Sequence, residues 1–149
     1  MEDIERVKKI LFEESLSCVI LKDSQIYKSN QRGVAPVIDL IDKKIDISNA
    51  FVADKVIGKA AAMLFIYCKV KEIYTPVISE PAINILRSSG IIVHYEKCVP
   101  YIINRSNTGQ CPMEKAVKDI SSPVQALITI KEKIKELSDQ NSQKSRQAN

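Results

Sequence analysis

Residues 50–95 read AFVADKVIGKAAAMLFIYCKVKEIYTPVISEPAINILRSSGIIVHY, and this stretch decides the fold class. Ala50 to Ala53 is a short apolar run of strand type, Gly58 to Cys68 is helical in pattern, and Lys71 to Val77 is rich in β-formers. Ser79-Glu80-Pro81 opens a second helix, Ala82 to Ser88, which Gly90 closes; Ile91 to Tyr95 is the next strand. Proline in a first turn and glycine just past a last turn are the usual start and stop of a helix. Strand and helix alternating at this spacing predict right-handed βαβ crossovers and a mainly parallel sheet with helices on its faces.

Towards the N-terminus, Ile4, Val7, Ile10 and Leu11 mark an amphipathic helix over residues 2–15. Ser17 to Lys22 and Gln25 to Ser29 form a hairpin about Asp23-Ser24, although the turn lacks glycine. A loop, Asn30 to Gly33, precedes a helix that starts at Pro36. Towards the C-terminus, Val99 to Ile103 reads as a further strand and Asn104 to Gln110 as a polar loop. Cys111-Pro112-Met113-Glu114 opens a short helix, and Ser122-Pro123-x-Gln125 has the pattern of a capping box for the last one. One domain is expected over 1–137. From Ser138 the chain is polar and lacks the apolar residues that offset ordering entropy, so 138–149 is expected to be a disordered tail.

Composition excludes several classes. With 45% hydrophobic and 27% charged residues, four Gly and six Pro, the chain is neither low-complexity nor collagen-like. Lys and Arg number 22 against 18 Asp and Glu, a mixture too even for a basic nucleic-acid face, and five Tyr, three Phe and no Trp form no stacking platform. No apolar run approaches the ~20 residues of a membrane span. The acidic start Met1-Glu2-Asp3 does not read as a secretory signal, and four scattered cysteines read as reduced thiols, so the expected compartment is the cytoplasm.

Several blocks look familiar together: Arg32-Gly33-Val34-Ala35-Pro36, Phe51 to Ala62, Pro76 to Ala82, Val99 to Arg105 and Cys111 to Glu114. They resemble a small bacterial family, domain of unknown function 1893, whose fold is cytidine-deaminase-like. The resemblance implies a three-layer helix–sheet–helix sandwich with a mixed five-stranded sheet, and no established activity. Zinc deaminases need His or Cys with Glu on one helix and two cysteines on the next. The corresponding stretches here, Gly58 to Ala62 and Ser79 to Asn84, carry no Cys or His. Neither a metal nor another cofactor is therefore expected.

What remains are three loops at the carboxyl ends of adjacent strands, where open α/β sheets bind ligands. Lysine is mildly unfavourable in a first helical turn, by ~0.3–1 kcal/mol. Lys55 and Lys59 are therefore expected to serve an anion, and Lys59→Ala is expected to stabilise the free protein slightly. Asp54, Ser79, Arg32, Asn104 and Arg105 supply further ligand contacts in this reading, with Glu80 as a proton-transfer group. Cys111, at a cap position that thiols fill poorly, is the candidate nucleophile. The leading expectation is a metal-free, deaminase-like domain that binds a small anionic or nucleotide-like molecule and self-associates. The alternatives are a protein-interaction module and a cysteine-dependent enzyme using Cys111.

Overall fold

The structure, a computed structural model, describes residues 1–103 and 109–148. In chain order the elements are α1 (Asp3–Glu13), β1 (Cys18–Lys22), β2 (Gln25–Ser29), α2 (Ala35–Asp42), β3 (Phe51–Asp54), β4 (Val56–Ile57), α3 (Lys59–Tyr67), β5 (Glu72–Ser79), α4 (Glu80–Ser88), β6 (Ile92–Val99), α5 (Pro112–Val117) and α6 (Pro123–Ala148). This is a mixed α/β chain with one mixed sheet of six strands. Strands β1 and β2 pair antiparallel, as do β1 and β3, whereas β3, β4 and β6 all pair parallel with β5.

Strands β3 and β4 are one strand position, interrupted. Phe51 lies opposite Glu72 and Val56 opposite Val77, so one register runs through both. That register sets Lys55 opposite Pro76, which has no N–H to donate, and the ladder breaks there. The hairpin closes without glycine because Asp23 itself takes φ +54°, a left-handed conformation that short polar residues tolerate.

Among the described residues, helix α1 covers one face of the sheet. Ile4, Val7 and Leu11 pack on Val19, Leu21, Ala53 and Tyr74. The opposite face, with Ile20, Val52, Ile73 and Ile78, carries the larger core beneath α2, α3 and α4. Helices α5 and α6 pack in turn on α3, and every residue from Ala60 to Phe65 is buried. A helix surrounded in this way has no polar face to keep, which explains its alanine-rich, unpatterned sequence.

Two expectations need correction. The separate strand at Val99–Ile103 is absent: β6 runs on to Val99, and beyond it Ile103 forms only an isolated bridge with Gln110. Helix α6 continues to Ala148, so most of the segment read as a disordered tail is helical. Extending an existing helix needs no new nucleus, and the Gln, Lys, Arg and Ala of this segment are good helix formers. Its core contacts nevertheless come early, at Ala126 and Ile130 with Leu127 and Ile134 beside them, and residues 138–142 are exposed. Truncation after Leu137 is therefore expected to shift the thermal midpoint by less than about 2 °C. A fall of several degrees would show that the extension packs.

Candidate functional site

Helices α3 and α4 both begin at the carboxyl end of the parallel strands. Each must satisfy its first N–H groups. Helix α4 does so locally: the Ser79 hydroxyl, at the N-cap, accepts from the Ala82 N–H at 3.3 Å. The first residue of α4, Glu80, is exposed. Helix α3 cannot do the same, because its N-cap is Gly58 and glycine has no side chain to offer.

The missing acceptor comes from far along the chain. Glu114, in the first turn of α5 and only 6% exposed, accepts the Ala60 N–H at 2.9 Å through Oε2. The carboxylate lies so close to Gly58 that an added Cβ would stand 1.3 Å from Oε1. Glycine here is a matter of space, since Gly58 adopts an ordinary extended conformation. The contact is reciprocal: Lys59 Nζ donates to the carbonyl of Lys118, the C-cap of α5, at 2.7 Å. A carboxylate thus caps the positive end of α3 and an ammonium the negative end of α5, the arrangement the helix dipoles favour. The base of the segment is pinned as well, because the Cys111 N–H donates to the Ile102 carbonyl at 3.0 Å.

Around this clamp lies a cleft of about 80 Å³, lined by Lys59, Ser79, Pro81, Tyr101, Ile102, Gln110, Glu114 and Lys118. Burial raises the pKa of Glu114, opposed by the N–H groups of Ala60 and Lys59 and by the Lys59 charge. In the sheet, at the end of β3, Asp54 is also only 6% exposed. Desolvation pushes its carboxyl up to about 8, against hydrogen bonds from the Val56 and Lys55 N–H groups. Cys18 lies directly opposite Asp54 in the ladder, and burial with that carboxyl nearby raises its thiol well above the usual range.

Of the residues expected to form the site, Lys59 and Ser79 line the cleft. Asp54 is buried in the sheet, and Lys55 and Arg32 are exposed, none of the three lining it. Asn104 and Arg105 lie outside the described residues. Cys111 is half-buried at the N-cap of α5, its thiol makes no capping bond, and it does not line the cleft. Cys98 is the exposed thiol of the four. Sequence reasoning missed Glu114 as a functional group. The legible signal was Gly58: a helix that begins on glycine must find its acceptor elsewhere.

The residues gathered at the start of α3 do not fit a zinc ion. The carboxylate there is occupied by backbone N–H groups, and its neighbours in the cleft are ammonium, amide and hydroxyl groups. Among the described residues no cluster of three or more His, Cys, Asp or Glu is placed to hold a metal. No helix is long and apolar enough to cross a membrane, again among the described residues.

No curated protein matches the chain. Among solved structures, a DUF1893 family protein from Thermotoga maritima is similar, with a TM-score of 0.81 and 28% sequence identity over 88% of this chain and 89% of that one. The family model described as "Domain of unknown function (DUF1893)" matches residues 6–134, and the chain therefore belongs to that family.

Proposed function

We propose that this chain is a metal-free, deaminase-like domain that binds a small anionic or nucleotide-like ligand in the cleft at the start of α3. The convergence of Lys59, Lys118, Ser79, Gln110 and Glu114 on one cleft carries this reading. The Lys59 ammonium suits a phosphate or carboxylate. A buried carboxylate suits an N–H or O–H donor on the same molecule, and the Tyr101 ring offers a face to a planar group. A volume near 80 Å³ takes only part of such a ligand, below the ~300 Å³ of ordinary pockets. The rest would project past Tyr101. The deaminase-like assignment is supported by a hairpin followed by parallel strands, with two helices starting side by side at one sheet end. In zinc deaminases helix starts of this kind supply the metal ligands; here Glu114 takes the space. Cys111 does not line the cleft, which weighs against the cysteine-dependent alternative.

Thermal shifts in phosphate and in chloride at equal ionic strength test the reading. Phosphate is expected to raise the midpoint more than chloride does, and Lys59→Ala to remove the difference. Because an ionised Glu114 repels an anion and burial favours its neutral form, the phosphate effect should grow as the pH falls. In Glu114→Gln that growth should be lost, leaving only the pH dependence of phosphate's own second ionisation. Equal shifts in wild type and Lys59→Ala would place the anion elsewhere. In the absence of ligand, Lys59→Ala should destabilise slightly, by about 0.5–1 kcal/mol, reversing the expectation from sequence, because Lys59 holds the end of α5.

A further inference from the structure

We propose that the open edge of β6 is where a second copy of this chain joins the sheet, antiparallel and centred on Tyr95. The two edges of the sheet differ in kind. Strand β2 is five residues long and carries Lys28, which pairs with Glu14 at the C-cap of α1. Strand β6 has eight residues, no proline and a constant register against β5, skipping only the position opposite Pro76. Among the described residues β5 is its only partner strand. Long flat edges invite pairing, and proteins usually blunt them with bulges, proline or shortness. Two large apolar side chains also stand open on it, Ile92 49% exposed and Tyr95 39%, beside the exposed charges of Glu96 and Lys97.

The backbone is set for addition. The Ile92 N–H donates to the Lys71 carbonyl, so Ile92, His94, Glu96 and Cys98 turn their main-chain groups towards β5. By alternation, Val93, Tyr95 and Lys97 present theirs on the open edge. An antiparallel partner centred on Tyr95 would exchange bonds at Tyr95–Tyr95 and twice at Val93–Lys97, about six hydrogen bonds in all.

The choice of occupant rests on self-complementarity. A two-fold axis normal to the sheet allows only registers centred on one residue, since the faces must match. Centring on Tyr95 sets His94 opposite the partner's Glu96 twice and Ile92 opposite the partner's Cys98 twice, with the two tyrosines facing. Centring on Glu96 or Lys97 puts like charges opposite each other, which is destabilising, and centring on His94 sets Ile92 opposite the partner's Glu96. His94 already bonds Glu72 at 2.8 Å, and Glu96 accepts from the Tyr74 hydroxyl at 3.1 Å with Lys8 at 3.7 Å. Both are thus held on the face that the pairing uses.

Sedimentation equilibrium on the full chain and an engineered disulfide test this together. Wild type is expected to sediment as a concentration-dependent dimer. Tyr95→Glu, which brings two carboxylates face to face at an exposed position, should weaken it about tenfold or more. Mild oxidation of I92C should link the introduced thiol to the partner's Cys98, because directly opposed antiparallel residues have Cα atoms about 4.5–5.5 Å apart. Wild type should not crosslink, its two Cys98 residues lying roughly 20 Å apart in this register. A monomeric wild type, absence of the I92C link, or a link mapped to another pair of thiols would overturn the proposal. The I92C arm decides the matter even where Tyr95→Glu fails to fold.

Discussion

Gly58→Ala is expected to destabilise the protein by about 3 kcal/mol, lowering the thermal midpoint by about 10 °C. The methyl group would stand 1.3 Å from Glu114 Oε1 and 2.9 Å from Ile102 Cγ1. The carboxylate must leave. When Glu114 leaves, the Ala60 N–H loses its acceptor in a dry site, at a cost of about 1–3 kcal/mol, and α5 loses its anchor on α3. Glu114→Ala should cost a similar amount. The double variant should cost clearly less than the sum of the two, since each single change breaks the same contact. Chemical denaturation of the four proteins gives the coupling directly. Additive losses, or a neutral Gly58→Ala, would mean that α5 does not sit against α3 as described.

Asp54→Asn should do the opposite, and only at high pH. The carboxyl is pushed from an ordinary value of 3.8 up to about 8 by burial. Between those values the native protein holds a proton that the unfolded chain has released, so stability falls as the pH rises across the window. At about 1.4 kcal/mol per pKa unit across roughly four units, the loss by pH 8 is on the order of 5 kcal/mol. Asparagine keeps the shape and the acceptor oxygen for Val56 and Lys55 but has no proton to lose. The variant should match wild type near pH 4 and exceed it by several kcal/mol at pH 8. Urea unfolding at three pH values checks this; parallel stability profiles would show that Asp54 is ionised in the fold at little cost.

The elements that were legible in sequence are those whose cause is local. The period of Ile4, Val7 and Leu11 places α1, and Pro81 with Gly90, at φ +81°, brackets α4. The parallel part of the mixed sheet followed from alternation of types over fewer than fifty residues. What escaped was long-range. Glu114 reaches the start of α3 across 54 positions, and nothing beside it in sequence marks it as a cap. That Lys59 also holds the end of α5 escaped too, because its partner there is a main-chain carbonyl, which a sequence cannot display. Strand β6 was cut short at Tyr95 because Glu96 and Lys97 break the apolar pattern, as exposed edge residues do.

The distant cap of α3 also sets an order of events. When the chain has been made as far as Ile103, every strand of the sheet and the four helices that flank it already exist in sequence. The central helix still has no acceptor for its first turn, and Ala126 and Ile130 are not yet present to cover it. Completion of the fold therefore waits for the last quarter of the chain. A nascent or proteolysed fragment ending before Glu114 would hold the whole sheet and still be unable to close its core.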